Sequence, residues 1–320
     1  MVTTMTRNDA AQWLMDHDHY CILTHVRPDG DTMGSASALC LLLRKMGKTA
    51  HLLHNEGASP FLDKCQLGLT KQWPAETDTL VTVDVASPNM LPEAWKCLQD
   101  RIALRIDHHG SATSFAPQEL VDASAAACGD IIYDLLLEMW AEMDKEIAWR
   151  LYIAVSTDTG CFRYANTNDH AYLVAAACAA TGAQLYPITQ ELFDTTSISE
   201  LKLQNWMVDH ATFLCGGMAA VCAIPKELEE SVSAEDLEGI SGFLRSIQGV
   251  KISATIRQTE NGSKMSVRAV PGFDAAAVCK KFGGGGHKGA AGASLNMPLD
   301  EALHAAAEAL REVVEGGIDN

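Results

Sequence analysis

The sequence predicts an α/β protein: a doubly wound, mainly parallel sheet joined by a helical linker to a smaller α/β domain. Three observations carry that expectation. Up to about residue 110, short apolar runs alternate with helix-length segments, as in strands joined by crossover helices. Past Phe213 the pattern changes to strict apolar–polar alternation around Asn261-Gly262, a hairpin signal. The chain has 320 residues, enough for two cores at roughly 100–200 residues per domain.

Residues 19–25 read as the first strand and residues 32–46 as the helix behind it. Residues 49–54, 79–84 and 102–107 are further strands. After Ser124 the chain turns helical over residues 125–143, 145–157 and 169–180. A polar helical stretch, residues 189–210, is read as a bridge. The expected divisions are 1–188 for the first domain, 189–212 for the linker and 213–320 for the second domain. There, residues 249–258 and 264–270 alternate on either side of the turn, and residues 299–314 form an amphipathic helix. A turn at Asn261-Gly262 sets Arg257 opposite Ser266 and Thr255 opposite Arg268. Alternation then places Lys251, Ser253, Thr255, Arg257, Lys264, Ser266 and Arg268 on one basic, hydroxyl-rich face, and Val250, Ile252, Ala254, Ile256, Met265 and Val267 against a core.

The net charge of −17 repels polyanions and argues against long nucleic acid as a partner. A short anionic substrate stays compatible, provided metal ions or arginines concentrate positive charge locally. Ten scattered cysteines without C-x-x-C spacing, and no apolar leader, argue against a disulfide framework. No apolar run approaches the length of a membrane span, so the cytoplasm is the expected compartment. The sequence leaves a homodimer open.

The chemistry lies at strand ends. His25-Val-Arg-Pro-Asp29-Gly-Asp31 follows one strand, Asp84 ends another, and Asp107-His108-His109-Gly110 ends a third. Asp158 closes a later helical run and can join them. Open parallel sheets bind ligands beyond the carboxyl ends of their strands, where all these residues fall. So many carboxylates repel one another, and divalent cations are the natural neutraliser. A carboxylate–imidazole donor set without thiolate suits Mn²⁺ or Mg²⁺ better than structural Zn²⁺ and leaves Co²⁺ open. Asp16-His17-Asp18-His19 also looks metal-like, but it precedes its strand and is expected to be a solvated turn. In the second domain, the glycines of residues 283–286 can aim backbone N–H groups at an anion, with His287 and Lys288 adjacent.

At these residues the sequence resembles the DHH phosphoesterase superfamily. His25-x-x-x-Asp29-x-Asp31 matches its first motif, Asp84 the second, Asp107-His108-His109 the third and Asp158 the fourth. Gly283-Gly-Gly-Gly-His287 matches the DHH-associated C-terminal domain, so the resemblance covers nearly the whole chain. Within the superfamily the chain is most similar to the nanoRNase type, an oligoribonuclease and pAp phosphatase. The resemblance implies two divalent metal ions, Mn²⁺ foremost. His25, Asp29 and Asp84 would hold the first ion; Asp31, Asp84, His108 and Asp158 would hold the second, with Asp84 bridging. His109 would face the substrate phosphate, and Asp107 would orient its histidine neighbours. Arg268, Ser266 and His287, then Gly284, Gly285, Gly286 and Arg257, would contact a short RNA or nucleotide. A phosphodiesterase for linear or cyclic dinucleotides and a non-catalytic nucleotide sensor are the alternatives, the second disfavoured because every motif residue is present.

Overall fold

The structure, a computed structural model, describes residues 2–110 and 113–317. It divides into two compact units, Met1–Thr195 and Thr196–Asn320.

The first unit is built on seven strands: β1 (Thr3–Thr4), β2 (Tyr20–Leu23), β3 (Ala50–Leu53), β4 (Thr70–Lys71), β5 (Thr79–Val83), β6 (Ile102–Asp107) and β7 (Gln118–Val121). Their order is β1-β7-β6-β5-β2-β3-β4, and every pairing is parallel. The four expected strands are its centre. β1, β4 and β7 were not anticipated, because two to four residues are too few for a periodic pattern. From β2 the chain winds to β3 and β4 on one side, then to β5, β6 and β7 on the other. The order therefore reverses between β2 and β5, and a crevice opens at such a switch point.

Helices α1 (Arg7–Asp16), α2 (Gly30–Lys45), α3 (Asp63–Gln66), α4 (Cys128–Glu138), α5 (Lys145–Asp158), α6 (Asp169–Ala180) and α7 (Tyr186–Thr189) complete this unit. α2 is buried almost throughout its first three turns, and small residues let its neighbours close on it. A Cβ at Gly34 would stand 2.5 Å from the Arg150 carbonyl oxygen on α5, and one at Gly129 would stand 2.7 Å from Ala154 Cβ. These approaches bring the C-terminal end of α5, with Asp158, towards the N-terminus of α2, with Asp31. The helix expected over 125–143 is shorter. It begins where the Cys128 and Gly129 N–H groups meet the Asp31 carboxylate, at 2.6 and 3.0 Å, and it ends before Trp140, whose φ is 52°.

In the second unit, β8 (Thr212–Leu214), β9 (Ala219–Ile224), β10 (Ile252–Thr259), β11 (Gly262–Ala269), β12 (Gly285–Gly286) and β13 (Ala290–Leu295) form a sheet ordered β12-β13-β11-β10-β9-β8. β9 and β10 are parallel; the other pairs are antiparallel. Helices α8 (Ile198–His210), α9 (Lys226–Glu229), α10 (Ala234–Gly239), α11 (Phe243–Ser246), α12 (Ala275–Lys280) and α13 (Leu299–Gly317) accompany it. The stretch 189–210 is not one helix. A π-helical turn, Gln190–Asp194, ends in extended Thr195, and α8 starts afresh on a Ser197 N-cap that accepts from the Glu200 N–H at 2.9 Å.

The hairpin register corrects the expectation by two residues: Arg257 faces Lys264, Thr255 faces Ser266 and Ser253 faces Arg268. Gly262 is the first residue of β11, opposite Thr259, so the two loop residues are Glu260-Asn261. An even shift preserves the faces, and Ile252, Ala254, Ile256, Met265 and Val267 lie in the core as expected, whereas Val250, expected with them, precedes β10 and packs with Leu203, Met207 and Leu244 instead. The opposite face is less open than expected. Leu203, Met207, Ile240 and Leu244 from the helices pack there with Ala220, Cys222 and Ile224 of β9, and Ser253 and Thr255 are buried. Arg257 pairs with Glu229 at 3.4 Å. Of the residues expected on this face, Arg257, Lys264, Ser266 and Arg268 are half-exposed and Lys251 is exposed.

Candidate active site

Asp29 caps α2, its Oδ1 accepting from the Thr32 N–H at 3.0 Å, while Asp31 sits in the first turn. Asp31 is fixed by Ser35 Oγ at 2.8 Å and by the N-terminus of α4. Asp84 follows β5 with φ of 61°, a left-handed conformation that costs an L-residue roughly 1–2 kcal/mol. His108 Nδ1 lies 3.3 Å from the Ala125 carbonyl oxygen, an acceptor that places the ring proton on Nδ1 and leaves Nε2 as a ligand atom. From Nε2 the distances are 3.6 Å to Asp31, 3.5 Å to Asp84 Oδ1 and 3.5 Å to Asp158. His25 Nε2 is 3.7 Å from both Asp29 Oδ2 and Asp84 Oδ2.

These separations are too long for hydrogen bonds. They are the spacing of neighbouring ligands around one cation whose bonds are about 2.1 Å long. Three overlapping donor groups result among the described residues, His25–Asp29–Asp84, Asp31–His108–Asp158 and Asp84–His108–His109, with ligand atoms within 4.8 Å of one another in each; in the third, His109 Nδ1 lies 3.5 Å from Asp84 Oδ1. Asp84 Oδ1 is buried without a hydrogen-bond partner. An orphaned carboxylate oxygen among other carboxylates fits a cation.

Electrostatics agree. Burial pushes the Asp84 carboxyl well above the usual range, and the charges of Asp31, Asp29, Asp158 and Asp107 push it further. Asp158 is likewise pushed well up, by burial and then by Asp31 and Asp29. Burial also raises Asp31, with His108 opposing. Positive charge would hold all three ionised.

Asp107 stands apart from this repulsion. It is fully buried, and its Oδ1 accepts from His108 N–H at 2.8 Å, His109 N–H at 3.2 Å and His109 Nδ1 at 2.8 Å, while Oδ2 meets Arg105. Burial alone would raise its pKa, but the His109 and Arg105 contacts hold it below the usual range. Its contacts are with histidines and an arginine, the arrangement of a group that orients the neighbouring loop.

In the second unit, register brings three sequence-selected residues to one face. Arg268 pairs with Ala290 and Ser266 with Gly292 on β13. On the far side of β13, Gly285 pairs with Gly292, and His287 exchanges backbone bonds with Ala290 at 2.8 and 3.2 Å. Directly paired residues share a face. Arg268 and Ser266 therefore flank one side, and His287 the other, of a floor made by Ala290 and Gly292.

The glycine run does not form the expected nest throughout. The Gly283 and Gly284 N–H groups bond to Lys280 and Cys279 at 3.1 and 2.9 Å, and Gly283, with φ of 73°, ends α12. A Cβ at Gly284 would stand 2.3 Å from the Gly292 carbonyl oxygen, so this glycine serves close packing against β13.

Asp16-His17-Asp18-His19 behaves as the expected turn: Asp18 Oδ1 accepts from the His19 and Thr49 N–H groups at 2.7 and 2.6 Å. Sequence reasoning missed Arg27, Asn89 and Met90, which line one cleft with His25, Asp29, Asp84, His108, His109 and Asp158. Arg27 was the legible one, since it lies inside the first motif. Asn166 was also missed; its amide spans the Ala126 and Asp158 carbonyl oxygens, 3.0 Å each. Among the described residues, no helix is long and apolar enough to cross a membrane.

Residues 19–155 match the DHH family N-terminal domain, and residues 217–316 match the DHHA1 domain. The chain is 32% identical over 303 residues to the bifunctional oligoribonuclease and PAP phosphatase NrnA of Thermus thermophilus, covering 91% of this chain and 89% of the relative. It is 24% identical over 289 residues to the Bacillus subtilis protein of that name, covering 87% and 90%. An exopolyphosphatase-related protein from Bacteroides fragilis shares the fold, with a TM-score of 0.83 and 22% identity over 96% of both chains. Fold, ordered motifs and relatives agree: the chain belongs to the DHH family of phosphoesterases and carries a DHHA1 domain.

Proposed function

We propose that the chain hydrolyses short oligoribonucleotides to mononucleotides and 3′-phosphoadenosine 5′-phosphate to AMP, with two divalent ions, Mn²⁺ foremost. The observation that carries the two-ion reading is Asp84. Its Oδ2 lies 3.7 Å from His25 Nε2, in a group with Asp29, while its Oδ1 lies 3.5 Å from His108 Nε2 and from His109 Nδ1, so one buried carboxylate belongs to two of the donor groups. Bound divalent ions would supply positive charge at the phosphoryl oxygens and acidify a water nucleophile.

The protein's own groups do the rest. Asp29 and Asp31 are preset by caps and by α4, so little reorganisation accompanies ion binding. His109, its Nδ1 turned to Asp107, is assigned through Nε2 to the phosphate, where it would stabilise developing charge or protonate the leaving oxygen. Arg268, Ser266 and His287 are assigned to nucleotide capture, the small floor of β13 admitting a flat group. Arg257, already paired with Glu229, is the weakest of the assigned contacts. The oligoribonuclease and phosphatase activities are those named for the relatives.

The test is a product time course with Mn²⁺, offering pAp, a dinucleotide, a five-mer and cyclic di-AMP in parallel. Release of mononucleotide from the dinucleotide and five-mer, with AMP from pAp, is expected. Cleavage confined to cyclic di-AMP would replace this reading with a cyclic-dinucleotide phosphodiesterase.

A further inference from the structure

Arg105 is unexpected where it stands. It lies in the centre of β6, in the run Ile102-Ala-Leu-Arg-Ile-Asp107, and is 1% exposed. A buried guanidinium is expensive unless its partners are fixed, and apolar residues of similar volume often serve stability as well or better. Its partners are therefore informative. Nη2 meets Asp107 Oδ2; Nη1 lies 3.5 Å from Glu119 Oε2 and 3.3 Å from the Thr113 carbonyl oxygen. The Phe115 ring centroid is 5.2 Å from the guanidinium carbon.

Both carboxylates also hold the loop that follows β6. Asp107 Oδ1 takes the His108 and His109 N–H groups and the His109 ring nitrogen. Glu119 Oε1 takes the Phe115 and Ala116 N–H groups at 2.8 and 3.2 Å, and Oε2 takes Ser114 Oγ at 3.0 Å. One guanidinium thus links the carboxylate at the start of the loop to the carboxylate at its end. A lysine would keep the charge, but a point charge cannot span both carboxylates as the planar fork does.

We infer that Arg105 is a positioning residue: by tying Asp107 to Glu119 it fixes the His109 ring in the orientation that the reaction uses. The catalytic consequence rests on the function proposed above; the orientation itself does not. The experiment compares wild type, Arg105→Lys, His109→Ala and the double variant on the dinucleotide pApA at saturating Mn²⁺. Mn²⁺ affinity is measured by electron paramagnetic resonance. Arg105→Lys is expected to keep KM and Mn²⁺ affinity within about threefold while kcat falls about 10- to 100-fold. In the His109→Ala background the same substitution should change kcat by less than about twofold, because the ring it positions is gone. An equal loss in both backgrounds, or a parallel loss of Mn²⁺ affinity, overturns the inference.

A readout independent of activity separates this from the functional reading. In protein labelled with ¹⁵N-histidine and loaded with Mg²⁺, the His109 Nδ1–H resonance, assigned by its absence in His109→Ala, should be protected in wild type and shifted or lost in Arg105→Lys. An unchanged resonance overturns the positioning role. A wild-type chain inactive on pApA that shows the resonance change refutes the proposed function alone. Should Arg105→Lys fail to fold, Glu119→Gln, which weakens the other end of the tie, takes its place with a smaller His109-dependent loss expected.

Discussion

The carboxylate cluster of the first unit and the β13 face of the second are built by opposite means. The cluster crowds side chains: buried Asp31 and Asp84 and half-buried Asp158 each have the pKa raised first by burial and then by neighbouring aspartates, with helix N-termini and a left-handed Asp84 setting their positions. The face removes side chains: Ala290 and Gly292 form a floor between Arg268 and His287, and Gly284 lets two strands approach. Loss of one charge is therefore the sharpest probe of the first region, and addition of one methyl group the sharpest probe of the second.

The largest expected effect breaks the first region. Asp84→Ala should lower kcat by about a thousandfold or more while the fold persists, since Asp84 lies 3.7 Å from His25 on one side and 3.5 Å from His108 on the other and is the carboxylate proposed to serve both ions. Near-normal turnover in a folded, metal-saturated Asp84→Ala protein would falsify the shared-carboxylate assignment.

Next come Arg268→Ala and His287→Ala, each expected to raise KM for a dinucleotide about tenfold, about 1.4 kcal/mol. A small generic phosphodiester should be affected far less. Equal losses on both substrates would argue that the face has no recognition role.

A glycine pair sharpens the contrast. A Cβ at Gly292 would meet only the Met265 carbonyl oxygen, at 3.4 Å, so Gly292→Ala should keep the melting temperature and weaken nucleotide binding. Gly284→Ala meets the Gly292 oxygen at 2.3 Å and should destabilise by about 1–3 kcal/mol. Thermal melts and KM for the two variants decide it; the opposite pattern would mean that the floor is not where substrate lies.

The smallest effect concerns pH. Burial lifts the Asp130 carboxyl to about 6, above its unfolded value. The folded state therefore holds a proton more tightly, and this contribution to stability is full below the unfolded pKa and is lost as pH rises through about 6. Asp130→Asn should flatten the melting temperature between pH 4.5 and 6.5 by a few degrees relative to wild type. Identical slopes would show that Asp130 is not the group responsible.

The carboxylate–histidine cluster was largely legible because its residues sit at the ends of strongly patterned strands. Each of β2, β5 and β6 is followed at once by ligand-type residues, and parallel topology puts those ends on one edge. The face of the second unit was legible only in part. Alternation gives which residues share a face, but register depends on the turn, and Asn261-Gly262 invited a loop one residue too late. The glycines looked like an anion nest because local sequence cannot show that Gly283 ends a helix and Gly284 packs on a strand. Arg105 was overlooked because one charge in an apolar strand carries no motif; its meaning depends on Glu119, fourteen positions away and brought near only by the fold.

The pairing of β12 with β13 also sets a rule for length. Ala291, Ala293 and Leu295 point into the core, while Ala290 and Gly292 floor the opposite face. Inserting or deleting one residue at Lys288-Gly289 would keep the composition yet exchange the two sets along whichever strand absorbed the change. Core and floor would then fail together. Relatives of this chain should vary this hairpin in steps of two residues or not at all, so its length is a more discriminating mark of a working face than any single glycine within it.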